Sequence, residues 1–321
     1  MLALITGIGG FAGSHLADHL LATTDWQVAG CVLHECDIPP QLQDRVLCRA
    51  ADLRDPKAVY KLMADTAPDI IFHLAALAKV EDSWRDPWPV LANNIQGQLN
   101  LLQAVVDLGV KPRVLVVGSN EEYGLVHPDE LPLNEDSPLR PNSPYGVSKV
   151  AQDMLGLQYY LSHQIPVIRV RPFNHIGPRQ SRGFVAPDFA SQIAEAEVGL
   201  RPPRMLVGNL EAQRDFTDAR DIVRAYHLVS VQGLPGEVYN IGSGQSHSVQ
   251  ELLDVLLSQS RVRITIEKDP ARLRPSDVPE VRCDAGRLHQ LTGWEPVFSF
   301  ETSLRDVLED WRSRIQVGRG D

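Results

Sequence analysis

Basic residues are in short supply in this chain. Its 31 Lys and Arg stand against 41 Asp and Glu, giving a formal net charge of -10 over 321 residues. A protein that holds nucleic acid by neutralising phosphates needs the opposite balance, so no nucleic-acid partner is expected. A local basic pocket for a small phosphorylated ligand stays open, because net charge describes only the far field. Cysteine is scarce as well. Cys31, Cys36, Cys48 and Cys283 form no Cys-x-x-Cys pair and have no histidine cluster nearby, which argues against a metal centre. No apolar run approaches the ~20 residues needed to span a bilayer. The N-terminus runs straight into the strand-like Leu2 to Thr6, without a basic leader or cleavage site, so no targeting segment and no membrane partner are expected. Reduced thiols and no targeting signal together suggest the cytoplasm.

What is there is ordinary globular material, 43% hydrophobic, in a chain long enough for one large domain or two modest ones. No internal repeat and no low-complexity stretch occurs. In the first half, short β-branched runs alternate with amphipathic helical patterns. Expected strands are Leu2–Thr6, Gln27–Val32, Val46–Ala50, Ile70–Leu74, Arg113–Gly118 and Val167–Val170. Expected helices are Phe11–Ala22, Pro56–Thr66, Val90–Leu108 and Tyr145–Ser162. Such alternation predicts an α/β fold, a doubly wound parallel sheet with helices on both faces.

After about Pro172 prolines and arginines become frequent and the regular alternation is lost. One more helix–strand unit, Asp218–Val231 and Val238–Ile241, is placed to return to the main sheet. The tail offers a helix at Val249–Leu257, a strand at Arg263–Glu267, a Pro/Arg loop around Arg274 to Pro279, and a last helix near Ser303–Arg314. The expected organisation is a dinucleotide-binding domain over residues 1–171, with 218–241 as its return segment. A smaller α/β C-terminal substrate-binding region, residues 172–217 and 242–315, then folds over the sheet's carboxyl edge, where open α/β sheets bind ligands.

The turn after the first strand reads Thr6-Gly7-Ile8-Gly9-Gly10-Phe11-Ala12-Gly13. Glycines at Gly7, Gly10 and Gly13 allow a sharp turn, close backbone approach to a pyrophosphate, and tight packing of helix on strand. The helix that follows offers free N–H groups and a positive dipole end to the phosphates. Its place between a strand and a helix is the context that gives such a triplet meaning, and predicts a Rossmann-type NAD or NADP site. Asp52-Leu53 follows the third strand and suits an adenine contact. Leu74-Ala75-Ala76 ends the fourth with small residues that let backbone lie against the cofactor, and Asn94 and Gly97 open the long helix beyond. After the second strand stands Cys31-Val32-Leu33-His34-Glu35, with neither an early Asp for NAD nor an Arg for NADP, so the choice between the two is open.

Tyr145-Gly146-Val147-Ser148-Lys149 places Tyr145 and Lys149 four apart at a helix start, on one face. A nearby ammonium is expected to lower the phenol pKa toward working pH, making Tyr145 a proton donor or acceptor for an alcohol–ketone interconversion. Ser119, at the carboxyl end of the fifth strand, can hydrogen-bond the same substrate oxygen.

The combination of Thr6-Gly7-x-x-Gly10-Phe11-x-Gly13, Ser119 and Tyr145-x-x-x-Lys149 resembles the extended short-chain dehydrogenase/reductase family, over nearly the whole chain. That family comprises nucleotide-sugar epimerases, dehydratases and reductases. Narrower motifs resemble its branch acting on GDP-6-deoxy-hexoses: Gly118-Ser119-Asn120-Glu121-Glu122-Tyr123-Gly124, Arg171-Pro172-Phe173-Asn174-His175-Ile176-Gly177-Pro178, Val207-Gly208-Asn209-Leu210, Arg214-Asp215-Phe216-Thr217-Asp218 and Leu273-Arg274-Pro275-Ser276. Within the branch the chain looks most like the reductases that convert GDP-4-dehydro-6-deoxy-D-mannose to GDP-D-rhamnose, with the GDP-mannose 4,6-dehydratases as sister group.

The resemblance implies that the 4-keto oxygen sits between Ser119 and Tyr145, with Lys149 on the cofactor ribose. Glu121 stands two positions after Ser119, where the dehydratases carry their extra acid/base, so it either keeps dehydration possible or only positions sugar hydroxyls. The loop His34 to Pro40 has no arginines, and Asn174-His175 is followed by Ile176 rather than an acid; both favour the reductase. The substrate diphosphate needs positive charge, for which Arg214 and Arg274 are the candidates and Arg179 a weaker one. Asn174, Val185 and Asn209 complete the implied substrate set. An epimerase, or a non-catalytic NAD(P) sensor on the same scaffold, are the rival readings. The family commonly dimerises through the long helices after the fourth and fifth strands, as a four-helix bundle, so a homodimer is expected.

Overall fold

The computed structural model describes residues 1–34, 37–269 and 278–317. The first half alternates β1 (Leu2–Thr6), α1 (Phe11–Thr23), β2 (Gln27–Val32), β3 (Leu47–Ala50), α2 (Pro56–Thr66), β4 (Ile70–His73), α3 (Val80–Arg85), α4 (Pro87–Asp107), β5 (Arg113–Val117), α5 (Pro144–His163) and β6 (Val167–Pro172). Then come β7 (Asn174–Ile176), α6 (Val185–Glu197), β8 (Arg204–Val207), β9 (Gln213–Asp218), α7 (Ala219–Gln232) and β10 (Val238–Ile241). The chain ends with β11 (Ser246–Ser248), α8 (Val249–Ser258), β12 (Thr265–Lys268), β13 (Glu280–Val281), α9 (Gly286–Thr292) and α10 (Phe300–Val317).

The central sheet has seven parallel strands in the order β10-β6-β5-β4-β1-β2-β3. Strands covered by helices on both faces need apolar side chains on both, and β4, Ile-Ile-Phe-His, is buried at every position. One face packs on α1, α7 and α9 through Leu16, Leu20, Ile222, Tyr226 and Leu288; the other packs on α2, α4 and α5 through Leu62, Leu101, Val105 and Tyr159. Strand order reverses between β1 and β4, and that switch point opens a crevice at their carboxyl ends. Helix starts follow local chemistry. Asp55 and Ser143 cap α2 and α5 through their side chains, each followed by a proline at the first helical position.

The C-terminal half is more regular than its sequence pattern predicts. Helix α6 and strands β8 and β9 occupy the stretch in which alternation looked lost. The buried face of α6 is built largely from Ala186, Ala190, Ser191 and Ala194, small residues that give a weak apolar signal. This helix packs with α8 and α10 around Ile193, Leu252, Leu256 and Leu304. A small sheet, β11-β9-β13 with β7 on β9, lies beside it, and β8 pairs with β12. That last strand sits at Thr265–Lys268 rather than Arg263–Glu267, in register with Arg204–Val207. Among the described residues no helix is long and apolar enough to cross a membrane, and no group of His, Cys, Asp and Glu could hold a metal ion.

Candidate active site

Gly7 leaves β1 with φ at 72°, a left-handed conformation, and a β-carbon there would lie 2.9 Å from the Ala75 Cα. At Gly13 a β-carbon would collide with the Gly7 carbonyl oxygen. The loop is therefore pressed between α1 and the end of β4. Thr6 ties the two edges together: its hydroxyl accepts from the Ala75 N–H at 3.2 Å and meets His73 Nδ1 at 2.9 Å, while its carbonyl accepts from the Leu74 N–H at 3.3 Å. Gly10 caps α1 without any side-chain acceptor, and the first turn holds no acidic residue. The first-turn N–H groups thus open on the crevice with their positive dipole end, which fits a dinucleotide pyrophosphate. The Phe11 ring stacks on His175, 5.7 Å between centroids, joining this turn to β7.

Other expected cofactor residues fall around the same crevice. Asp52 is bound by Arg54, with Nη2 at 2.7 Å, and that guanidinium holds its carboxyl below the usual range. Leu53 packs over Gly97 on α4. Asn94 is completely buried and clamps both the N–H and the carbonyl of Leu77, at 2.8 and 3.1 Å, while donating to the Ser148 hydroxyl. It holds the Ala75–Ala76 loop in place from behind.

Helix α5 carries Tyr145 and Lys149 into the carboxyl edge of β5. Its start packs so closely on the turn Asn120–Glu122 that a β-carbon at Gly146 would lie 2.5 Å from the Glu121 carbonyl oxygen. The Tyr145 N–H donates to Ser83 on α3 at 3.2 Å, and the Ser119 side chain lies close enough to the phenol to lower its pKa. Lys149 donates to the Val117 carbonyl at 2.9 Å, with its ammonium 5.9 Å from the Tyr145 ring centroid. Ser119, Glu121, Tyr145 and Lys149 are thus brought together.

The electrostatics overturn one expectation. Burial pushes the Tyr145 phenol well above its ordinary value, the Ser119 side chain pulls it down, and the charge of Glu121 pushes it up again. Lys149 does not offset this: its ammonium is aimed at the Val117 carbonyl and lies 5.9 Å from the Tyr145 ring centroid, and burial lowers its own pKa from 10.5 to about 8. Tyr145 is therefore a neutral acid at physiological pH.

On the substrate side the residues separate. Asn174 lies half-buried on β7, and its Oδ1 is buried with no hydrogen-bond partner, as expected of a group that meets a ligand. Val185 is the first residue of α6, and Asn209 follows β8 with its Oδ1 on the Glu211 N–H at 3.0 Å. Arg214 sits on β9, where Nη1 donates to the Gln213 and Val278 carbonyls at 2.8 Å each. Arg274 lies outside the described residues. Arg179 does not join the site: it bonds Asp18 at 2.8 Å and His15 at 2.6 Å, and its N–H bonds Asp310 at 2.8 Å, tying α1 to α10.

Sequence reasoning missed Ser83, which touches the Tyr145 backbone, and the buried charges Glu122, Asp153 and Arg171 beneath the site. Two signals were available. Asp153 extends the Tyr145–Lys149 face by four residues, and Ser119-Asn120-Glu121-Glu122 spells the Ser-x-x-Glu capping pattern.

This geometry has close counterparts. Residues 4–307 match the family described as GDP-mannose 4,6 dehydratase. The GDP-6-deoxy-D-mannose reductase of Pseudomonas aeruginosa is 37% identical over 97% of both chains. GDP-mannose 4,6 dehydratase 2 of Arabidopsis thaliana is 29% identical, over 96% of this chain and 86% of its own. A solved structure of RMD from Pseudomonas aeruginosa complexed with NADPH superposes with a TM-score of 0.86 at 36% identity, covering 98% of this chain and 99% of that one. The chain belongs to the GDP-mannose 4,6-dehydratase family, within the nucleotide-sugar branch of the extended short-chain dehydrogenases/reductases.

Proposed function

We propose that the chain reduces the C4 ketone of GDP-4-dehydro-6-deoxy-D-mannose to GDP-D-rhamnose, with NADPH or NADH as the reductant. The observation that carries this reading is a buried, protonated Tyr145 with the Ser119 side chain beside it, since a ketone reduction needs an acid at that point. Likeness to the Pseudomonas reductase over the whole chain supports the choice of substrate.

Bound NAD(P)H supplies the hydride. Gly7, Gly10, Phe11 and Gly13 hold its pyrophosphate, with Asp52 and Leu53 toward the adenine and Leu74, Ala75 and Ala76 along its length. Ser119 and Tyr145 receive the C4 oxygen between their hydroxyls. Tyr145 gives its proton to that oxygen as negative charge develops there, and Ser119 donates a second hydrogen bond. Lys149 lies behind Tyr145, where its ammonium meets the cofactor ribose. Asn174, Val185, Asn209, Arg214 and Arg274 are assigned to the nucleotide sugar, with the arginines on the diphosphate.

One observation favours a second reading, a GDP-mannose 4,6-dehydratase. Glu121 is half-buried and close enough for its charge to act on Tyr145, where it could serve as the acid/base for loss of water. The test is to incubate the protein with GDP-mannose alone, then with the 4-keto-6-deoxy sugar nucleotide and reduced cofactor. Oxidation of cofactor only in the second mixture supports the reductase; ketone formation in the first makes it a dehydratase.

The expected homodimer belongs with this reading. Helices α4 and α5 pack side by side, and Val147, Met154 and Leu161 form an exposed stripe seven residues apart on α5, beside exposed Trp88 and Leu99 on α4. A second copy of the same pair would cover that stripe as a four-helix bundle; sedimentation at the mass of one chain would rule it out. The buried thiols of Cys31 and Cys283 suit the cytoplasm assigned to it.

A further inference from the structure

Beneath Ser119 lies a buried cluster of charge that the reaction as described leaves unused. Ser119 and Glu122 form a capping box around the short turn Asn120–Glu122. The Glu121 N–H donates to Ser119 Oγ at 3.2 Å, and the Ser119 N–H donates to Glu122 Oε1 at 2.9 Å. The box fixes both the backbone and the hydroxyl direction of Ser119. Glu122 is completely buried, and only a glycine at 118 leaves room for it, since a β-carbon there would collide with Oε1.

The far side of the carboxyl meets Arg171, whose Nε donates to Glu122 Oε2 at 3.0 Å. Asp153 holds the same guanidinium more tightly, at 2.8 Å from Nε and 2.6 Å from Nη2, and also accepts from Arg169. Glu122 Oε2 and Asp153 Oδ2 meet at the same Nε, which sets the two carboxyls side by side. Each carboxyl disfavours charge on the other, and burial together with Asp153 pushes the Glu122 carboxyl well above its ordinary range. Asp153, between two guanidiniums, keeps the charge. Glu122, fully buried with a share in one, takes the proton.

We propose that Glu122 is a positioning residue of this active site, a carboxylic acid that fixes the Ser119 hydroxyl beside Tyr145 by bridging the Ser119 backbone to Arg171 and Asp153. The proposal rests on the assignment of Ser119 and Tyr145 to the ketone oxygen. Besides Asp153 and Arg171, the groups that feel Glu122 are Tyr145 and Lys149 on α5 and Tyr123 next to it in the chain. A negative charge at Glu122 would push the Tyr145 phenol still higher; a neutral acid leaves that proton easier to give.

Glu122→Gln tests this against Glu122→Leu. The amide oxygen of Gln still accepts from Ser119 and its nitrogen donates to Asp153, while the Arg171 Nε–H that Glu122 accepts is left to Asp153, which already holds it at 2.8 Å. Turnover of E122Q is expected within about threefold of the unaltered enzyme, and kcat of E122L about 10²-fold lower, with both KM values little changed, because a displaced catalytic hydroxyl affects the chemical step. At neutral pH the infrared spectrum should contain a protonated-carboxyl band that E122Q lacks. Equal losses in E122Q and E122L, full turnover in E122L, or no missing band would each overturn the proposal. If E122L fails to fold, judged by circular dichroism, E122Q and its infrared spectrum still decide. Tyr145→Phe serves as the control: normal turnover there sinks the reading of the site, whereas a dead Y145F beside an unimpaired E122L sinks only the role of Glu122.

Discussion

The Lys149 ammonium donates to the Val117 carbonyl at 2.9 Å and so pins α5 to the end of β5, two residues before Ser119. That bond holds the two hydroxyls of the site on one rigid corner of the sheet. Burial leaves Tyr145 there as an acid instead of a phenolate.

Replacing Tyr145 with Phe removes the proton donor and little else, since its backbone bond to Ser83 stays. Turnover should fall by about 10²–10⁴-fold, while the dissociation constant for the nicotinamide cofactor changes by less than about threefold. Fluorescence titration with the reduced cofactor separates the two effects. Unchanged turnover would remove Tyr145 from the mechanism.

Lys149 sets an alkaline limit. Burial lowers its pKa from 10.5 to about 8, so the ammonium is present below that value and lost above it. For reduction, kcat/KM should hold up to about pH 8 and then fall about tenfold per unit. In the window from about 8 to 10.5 the unfolded chain still carries this proton while the folded one does not, so the residue's contribution to stability rises with pH there. A flat kcat/KM profile to pH 10 would contradict the assignment.

Acid should loosen the sheet near β4. His73 is buried, and desolvation lowers its pKa from 6.5 to about 3, with His15 and His19 lowered to about 4. Below pH 6.5 the unfolded state binds these protons and the folded state does not, so stability is lost as pH falls from 6.5 toward those values. Melting at pH 4.5 is expected at least about 5 °C below that at pH 7. The slope should be shallower in His73→Gln; an identical slope would show that His73 contributes nothing to it.

Arg214 and Arg179 should behave differently. Arg214→Ala is expected to raise the nucleotide-sugar KM by about tenfold or more, with the cofactor KM unaffected, as for a lost charged contact to phosphate. Arg179→Ala removes the side-chain bonds to Asp18 and His15 on α1 but keeps the backbone bond to Asp310, and should lower the melting temperature by about 2 °C without changing either KM. Equal effects of Arg214→Ala on both KM values would count against its place on the diphosphate.

Much of this was legible along the chain because it depends on short-range pattern. Strands such as Ile70–His73 announce burial on both faces, and Asp55-Pro56 and Ser143-Pro144 mark helix starts through their own side chains. Helix α6 escaped because half of its buried residues are alanine, which separates core from surface poorly. Strand β9 escaped because the polar Gln213-Arg214-Asp215 draws its order from neighbours on either side, not from an apolar run.

Determined by the sequence alone were the glycine cradle and the shared face of Tyr145 and Lys149, both set within one turn of chain. Tertiary structure decided where the charges went. The guanidinium of Arg179, a candidate for phosphate, meets Asp18, 161 positions away, and Glu122 meets Arg171, 49 positions away. No local pattern announces such partners. Burial then decided the protonation of Tyr145, Lys149 and Glu122, because the free energy of a buried charge depends on everything packed around it and not on its neighbours in sequence.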